Sequence, residues 1–515
     1  MLIGDLPRRN RKLYPNRVAV IEGQVQLTFT EFDQRINRLA NALLSFGLKR
    51  GDRVAVLYGN GFRYLELYFA TAKVGLTIVP LNYRLVLPEL TGIIEESQPS
   101  LLFFGKDYLE TVRVLQQQFP QLQVVCIDEE IPGTKNYESL IAGFADEDPM
   151  IPIHEDDLAV LGYTGGTTGR PKGVMTTHRN VITNCFQTAL AMGFTSDDRF
   201  LSVAPLFHAG GATGFLRLSL VGGSNVILNS SDPDVILQHI QDFNVTHTML
   251  VPSLLHRILE KADLSRYDLS SLKCIMYGTA PMPLETLKKA MDTFKCGFAQ
   301  IYGSTETFTT MAVLTSKDHA LFKESQSKRL SSAGQPVCGL EVKIVDNNGQ
   351  ELPRGEIGEI VVRGHNVMKG YWKQPEVTSE VLRDGWYFTG DVGWLDDEFY
   401  LYVVDRKKDM IISGGENIYS KEVEDALLKH PAVSECAVIG VPDEEWGESV
   451  KAYVILKPGM FVPEQELIEH CKQHLASYKK PRFIEYVEDL PRSASGKVLK
   501  NKLRESSRQG LAQHA

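Results

Sequence analysis

Tyr163-Thr164-Gly165-Gly166-Thr167-Thr168-Gly169-Arg170-Pro171-Lys172-Gly173 follows an apolar run at 158–163 and precedes a helical stripe of Val181, Ile182, Cys185, Phe186 and Ala189. Glycines here let the backbone turn tightly and bring N–H groups against a polyanion, while Thr164, Thr167, Thr168 and Lys172 add hydroxyl donors and a positive charge. The stretch therefore reads as a phosphate cradle fed by a strand. It is not the common P-loop, which needs Gly-Lys-Ser/Thr in succession, because Arg170 and Pro171 separate Gly169 from Lys172. A flexible surface turn is the bland alternative, and the density of hydroxyl and cationic side chains among the glycines weighs against it.

Outward from this loop, strands and helices alternate. Thr30 is placed to cap a helix with Phe32, Ile36, Leu39, Ala40 and Leu43 on one face, and Gly47 to end it. Strands are expected at 53–57 and 76–80, with a helix around 62–73 between them, and similar alternation runs to about residue 310, the pattern of a parallel α/β sheet. Short strands at 340–345, 357–363 and 399–404, punctuated by Gly and Pro, predict a small β subdomain. The charge run Asp405-Arg406-Lys407-Lys408-Asp409 has no apolar partner in sequence, and beyond it a new pattern begins: a helix at 421–429 and strands at 436–441 and 450–456. The expected architecture is α/β: a large N-terminal domain, 1–404, including the β subdomain; a hinge, 405–409; and a small mobile α+β lid, 410–515.

The 515 residues are 43% hydrophobic and 23% charged, ordinary values for a globular protein, which excludes a disordered chain. With 55 Lys+Arg against 64 Asp+Glu the net charge is -9, which argues against a general nucleic-acid binder but leaves room for a local basic site. The seven cysteines contain no Cys-x-x-Cys pair, predicting a reducing compartment and no structural zinc. No signal peptide or stretch of about 18 uncharged apolar residues is present, so no integral membrane segment and a cytoplasmic location are expected. The C-terminal Leu-Ala-Gln-His-Ala is not a peroxisomal address.

Further motifs occur in order along the chain. Pro205-Leu206-Phe207-His208-Ala209-Gly210-Gly211 carries a lone histidine; Tyr277-Gly278-Thr279-Ala280-Pro281 is a strand end with small residues; and Tyr302-Gly303-Ser304-Thr305-Glu306 puts an acid beside hydroxyls. Thr389-Gly390-Asp391 ends on a carboxylate. Trp446 lies among acids and glycine, Tyr478-Lys479-Lys480-Pro481-Arg482 is a basic aromatic run, and Lys497 comes after the small-residue turn Ser493-Ala494-Ser495-Gly496. Taken singly, each has an ordinary explanation: a packed histidine, a helix-dipole acid, a surface lysine.

Together and in this order the motifs resemble those of the adenylate-forming (AMP-binding, ANL) superfamily, over nearly the whole chain. The resemblance implies ATP or AMP binding by Thr164, Gly165, Gly166, Thr167, Thr168, Gly169, Lys172, Gly278, Thr279, Ala280, Pro281, Tyr302, Gly303, Ser304, Thr305, Asp391, Arg406 and Lys497. It implies Mg²⁺ held at Glu306 and Thr164, catalytic roles for Lys497, Glu306, His208 and Lys172, CoA binding by Trp446, Tyr478 and Lys480, and a hinge at Lys408. Gly165 departs from the family's usual Ser, which removes one hydroxyl from the pyrophosphate end of ATP.

By the same resemblance the chain is most similar to medium- or long-chain fatty acid-CoA ligases and aryl-CoA ligases. It is expected to use a carboxylic acid, ATP, Mg²⁺ and CoA, with room for a homodimer. A luciferase-type oxygenase, an amino-acid adenylation domain and a non-catalytic nucleotide-binding relic remain as alternatives; the region of His208 lacks the Phe-Asp expected of the second. All four tryptophans lie beyond residue 370, so no indole is expected to plug an acyl pocket in the N-terminal domain, favouring acids longer than acetate.

Overall fold

The computed structural model describes all residues except 165–170, 281, 326–327, 415, 444, 493–496 and 513–515. The described chain packs as two compact units, residues 1–341 with 362–387 and residues 342–361 with 388–515.

The larger unit contains two sheets. In one, the parallel strands Arg53–Leu57, Thr77–Pro80, Leu101–Phe104 and Gln123–Cys126 lie beside Leu158–Thr164, which then pairs antiparallel with Lys172–Thr177. In the other, Val18–Glu22, Ser224–Ile227, Arg199–Ser202, His247–Met249, Cys274–Gly278 and Gly297–Tyr302 form a parallel run closed by antiparallel edge strands. Helices Phe29–Ser45 and Phe62–Lys73 bury their apolar faces in a shared core, where Phe69 meets Phe32 edge-on at 6.0 Å and Phe215 at 5.8 Å. Burial of each such side chain is worth roughly 1.5–3 kcal/mol.

Two local expectations are corrected. Helix Phe29–Ser45 is capped by Thr28, not Thr30: the Thr28 hydroxyl accepts from Glu31 N–H while the Glu31 carboxylate accepts from Thr28 N–H, a reciprocal box that Thr30, already inside the helix, cannot form. The glycine-rich loop joins two strands of an antiparallel hairpin, and the helix His178–Met192 starts only after the second strand. Val181, Ile182, Cys185 and Ala189 of that helix are buried as expected, but Phe186 is exposed.

The smaller unit contains strands paired across the start of the charge run: Asp391 of Trp386–Leu395 faces Arg406 of Leu401–Arg406. This ladder extends through Asp405 and Arg406, so residues 388–404, expected from sequence in the N-terminal domain, pack instead with the C-terminal part of the chain. Further on, Val433–Asp443 and Gly447–Leu456 form a long hairpin packed on Ser420–Leu427 and Glu464–His474 around Val438, Val450, Ala452 and Leu467.

Candidate active site

In the larger unit, the ends of parallel strands converge with the hairpin. The strands Cys274–Gly278 and Gly297–Tyr302 run side by side with Gly278 opposite Ile301, so segments 278–280 and 302–306 leave the same sheet edge together, the carboxyl-end position where open α/β sheets bind ligands. The glycines are required by contact: a Cβ on Gly278 would lie 2.3 Å from the Ile301 carbonyl oxygen, and one on Gly303 only 1.7 Å from that of Thr309. Thr279 has φ +68°, a region that costs a β-branched residue conformational energy.

Glu306 lies on a single 3₁₀ turn, Thr305–Thr307, followed by Phe308 and Thr309 at φ +49° and +94°. Two fully buried asparagines from distant segments hold this strained backbone: the Asn184 and Asn366 amides both donate to the carbonyls of Thr307 and Thr310. Asn180 donates to the carbonyls of His365 and Val367 and so anchors the approach to Asn366. Met368 N–H donates to the Glu306 carbonyl at 2.7 Å. The next residues, Gly370–Tyr371, pair antiparallel with the hairpin strand, Tyr371 opposite Val174.

That register brings Tyr371 between two predicted site residues. Its hydroxyl donates to Glu306 Oε1 at 3.0 Å, and its ring lies 5.0 Å from Lys172 Nζ. Lys172 itself faces Thr164 across the hairpin, and Gly162 of the same strand sits close enough to Thr305 that an added Cβ would be 3.6 Å from its methyl. The fold therefore assembles Thr164, Lys172, Thr305 and Glu306 around a tyrosine the sequence motifs did not single out. Gly165, Gly166, Thr167, Thr168, Gly169 and Pro281 lie outside the described residues.

His208 is the N-cap of helix Ala209–Val221 and packs its ring 4.3 Å from Phe207, which meets Tyr83 edge-on. Trp372 also belongs to this larger unit: its indole N–H donates to the Glu96 carbonyl and its ring lies under Arg53, while Gly173 packs on its Cβ. Antiparallel pairing of residues 370–371 with the hairpin brings this indole into the larger unit, where it meets Glu96, Arg53 and Gly173.

In the smaller unit, Asp391 is almost fully buried and its carboxylate meets Arg406 Nε at 3.1 Å across the ladder. The charge run is not simply solvated. Arg406 pairs with Asp391, Lys407 with Glu359 at 2.9 Å, and Asp409 with Arg504 at 2.8 Å, while Asp405 accepts from Ser420. Lys408 is exposed among them. Trp446 stacks beneath the Arg482 guanidinium at 5.3 Å, and Arg482 also reaches Asp443 at 3.1 Å, leaving the indole 39% exposed. Tyr478 is exposed with Lys479 near its ring, and Lys480 donates to the Ser477 carbonyl. Lys497 is exposed, one residue before the bridge that Val498 forms with Arg492.

Residues 7–372 match the model of the AMP-binding enzyme family and residues 422–497 that of the AMP-binding enzyme C-terminal domain. The chain belongs to this adenylate-forming family. It is 41% identical over 508 residues to a feruloyl-CoA synthase from an Amycolatopsis species, with 98% of each chain covered. It is 38% identical over 499 residues to a 2-succinylbenzoate–CoA ligase from Bacillus licheniformis, covering 96% of this chain and 98% of that one. Among solved structures, an anthranilate CoA ligase in complex with anthranoyl-AMP superposes with a TM-score of 0.91 at 28% identity, covering 99% of this chain and 98% of that one. The protein is accordingly an AMP-forming acyl- or aryl-CoA ligase with ATP and CoA as substrates, built from a large N-terminal and a smaller C-terminal domain. Among the described residues no helix is long and apolar enough to cross a membrane.

Proposed function

We propose that this AMP-binding enzyme activates an aryl-substituted carboxylic acid in the cytoplasm. The acid's carboxylate oxygen attacks the α-phosphorus of ATP, the bond to pyrophosphate breaks, and acyl-AMP forms; the CoA sulfur then attacks the acyl carbonyl, and AMP leaves. The reading of the acid is supported chiefly by the relatives, named for feruloyl, 2-succinylbenzoate and anthranilate substrates. It replaces the fatty-acid expectation.

Lys172 and the loop before it take the ATP phosphates, with residues 278–281 against adenine and 302–305 completing the ATP/AMP site. Asp391 accepts the ribose hydroxyls, with Arg406 holding that carboxylate by charge. The oxygen donors Glu306 and Thr164 suit Mg²⁺ carried by the substrate phosphates. Bound there, Mg²⁺ neutralises phosphate charge. Lys497 supplies a cation to the carboxylate and α-phosphate during adenylation. His208 lies beside the acyl carbonyl, Trp446, Tyr478 and Lys480 take CoA, and the lid, 410–515, turns at Lys408 between the half-reactions.

A pyrophosphate-release assay with and without CoA, run over cinnamic, benzoic and C2 to C18 fatty acids, tests this reading. The expected result is pyrophosphate release with aryl acids and thioester only when CoA is added. Turnover confined to fatty acids would overturn it.

A further inference from the structure

The loop that ends in His208 is held by a residue from the other sheet of the larger unit. Asn60 follows the strand Arg53–Leu57, whose sheet also carries the hairpin of Leu158–Thr164 and Lys172–Thr177. Residues 203–208 follow Arg199–Ser202 of the second sheet, beside Ser224–Ile227. Asn60 is 5% exposed, and both ends of its side-chain amide bond to that second sheet. Nδ2 donates to the carbonyls of Leu228 at 3.0 Å, Ala204 at 3.2 Å and Val203 at 3.3 Å, while Oδ1 accepts from Leu206 N–H at 2.9 Å. Two amide hydrogens thus serve three carbonyls, one hydrogen being shared. The Asn60 backbone N–H donates to Asn229 Oδ1 at 3.2 Å, a further tie to the same sheet.

Between Leu206 and His208 the chain has little freedom. Leu206 is fully buried, and the Phe207 ring meets Tyr83 edge-on at 5.0 Å. His208 N–H donates to the Pro205 carbonyl at 3.1 Å, the His208 carbonyl accepts from Gly211 N–H and Ala212 N–H, and a Cβ on Gly211 would lie 2.2 Å from the Pro205 carbonyl oxygen. These contacts within 205–212 fix the shape of the loop. The bonds from Asn60 fix where that shape sits relative to the first sheet, because they alone in this set cross from one sheet to the other. Lys172 stands on the first sheet and His208 on the second, so Asn60 sets the separation between them.

We propose that Asn60 is a positioning residue for adenylation: it staples the His208 loop to the sheet that carries the Lys172 hairpin, so that the acid's carboxylate is presented to the α-phosphorus of ATP. This rests on the place given to His208 above, beside the acyl carbonyl. Asn60 touches neither substrate in this scheme and acts only through Leu206 and His208.

The test compares Asn60→Ala, His208→Ala and the double variant of the full-length enzyme in pyrophosphate release, using the acid of the panel above that the wild type turns over fastest. Rates are taken per folded enzyme well below the melting temperature, since Asn60→Ala also leaves buried carbonyls without a donor and should melt lower. Asn60→Ala should lower kcat ~10- to 100-fold with the KM for ATP within ~2-fold of wild type, because a displacement of about 1 Å can cost ~10²-fold in rate. His208→Ala should lower kcat as well, and the double variant should lie no more than ~3-fold below the worse single one, since a misplaced and a missing His208 are the same loss. Asn60→Asp, which keeps the size and the acceptor but removes both donors, should lose at least as much as Asn60→Ala. Unchanged kcat in Asn60→Ala, or losses that multiply in the double variant, would overturn the proposal while the place of His208 stands. If His208→Ala is itself silent, that place falls and the proposal with it; inertness toward every acid of the panel sinks both. Should Asn60→Ala prove insoluble, Asn60→Ser, which keeps one donor, enters the same cycle and decides.

Discussion

Replacing Tyr371 by Phe isolates one contact at the proposed phosphate end of the site. The ring is buried at 5% exposure and keeps its place near Lys172, so the substitution removes the hydroxyl that donates to Glu306 at 3.0 Å. A hydrogen bond to a charged group is worth about 1.5–3 kcal/mol, and each ~1.4 kcal/mol is tenfold in rate. Without it the Glu306 carboxylate can rotate away from the position set by its 3₁₀ turn. Adenylation kcat/KM for MgATP should fall ~10- to 100-fold, and the Mg²⁺ concentration giving half-maximal pyrophosphate release should rise. Thioester formation from supplied acyl-AMP should stay near wild type, and the melting temperature should move by no more than a few degrees. Equal losses in both half-reactions, or an unchanged Mg²⁺ dependence, would refute the claim that Tyr371 orients Glu306.

Lys497→Ala should slow adenylation by ~10²-fold or more while sparing thioester formation from acyl-AMP, because one preorganised charge at the transition state is lost; single-turnover assays of each half-reaction check this. Trp446→Ala should raise the KM for CoA without changing pyrophosphate release if, as proposed, the indole stacked under Arg482 serves only the second substrate; parallel damage to adenylation would mark Trp446 as packing. Gly303→Ala should lower both stability and ATP-dependent adenylation, because its Cβ would strike the Thr309 carbonyl and displace the turn carrying Glu306; thermal melting and pyrophosphate release read this out. Burial lowers the pKa of His178, His247 and His319 from 6.5 to about 4, so the unfolded chain takes up protons first as pH falls. Stability should be full above pH 6.5 and decline toward pH 4, by about 2 kcal/mol per histidine at pH 5, visible as a falling urea midpoint.

Much of the molecule was legible along the chain. Alternating apolar runs and amphipathic stretches predicted the α/β class because period and burial are local properties of a segment. Residues 163–173, 302–306 and 389–391 stood out as candidates because phosphate, metal and ribose chemistry would each demand particular residue types in short, contiguous order. Thr28 over Thr30 was decidable in principle, since Glu31 stands three residues after Thr28.

What remained hidden depends on partners far apart in sequence. Tyr371 reaches Glu306 and Lys172 only because residues 370–371 add a strand to the hairpin edge. Asn184 and Asn366 look like ordinary polar residues until the fold closes them over the same two carbonyls. Arg217 is the one charged residue of the helix Ala209–Val221, and only packing shows that it is buried and held by Thr213. Sequence order thus set the elements and the chemical groups proposed to meet ATP; tertiary packing decided which distant side chains touch those groups, because burial and hydrogen-bond geometry are properties of neighbours in space.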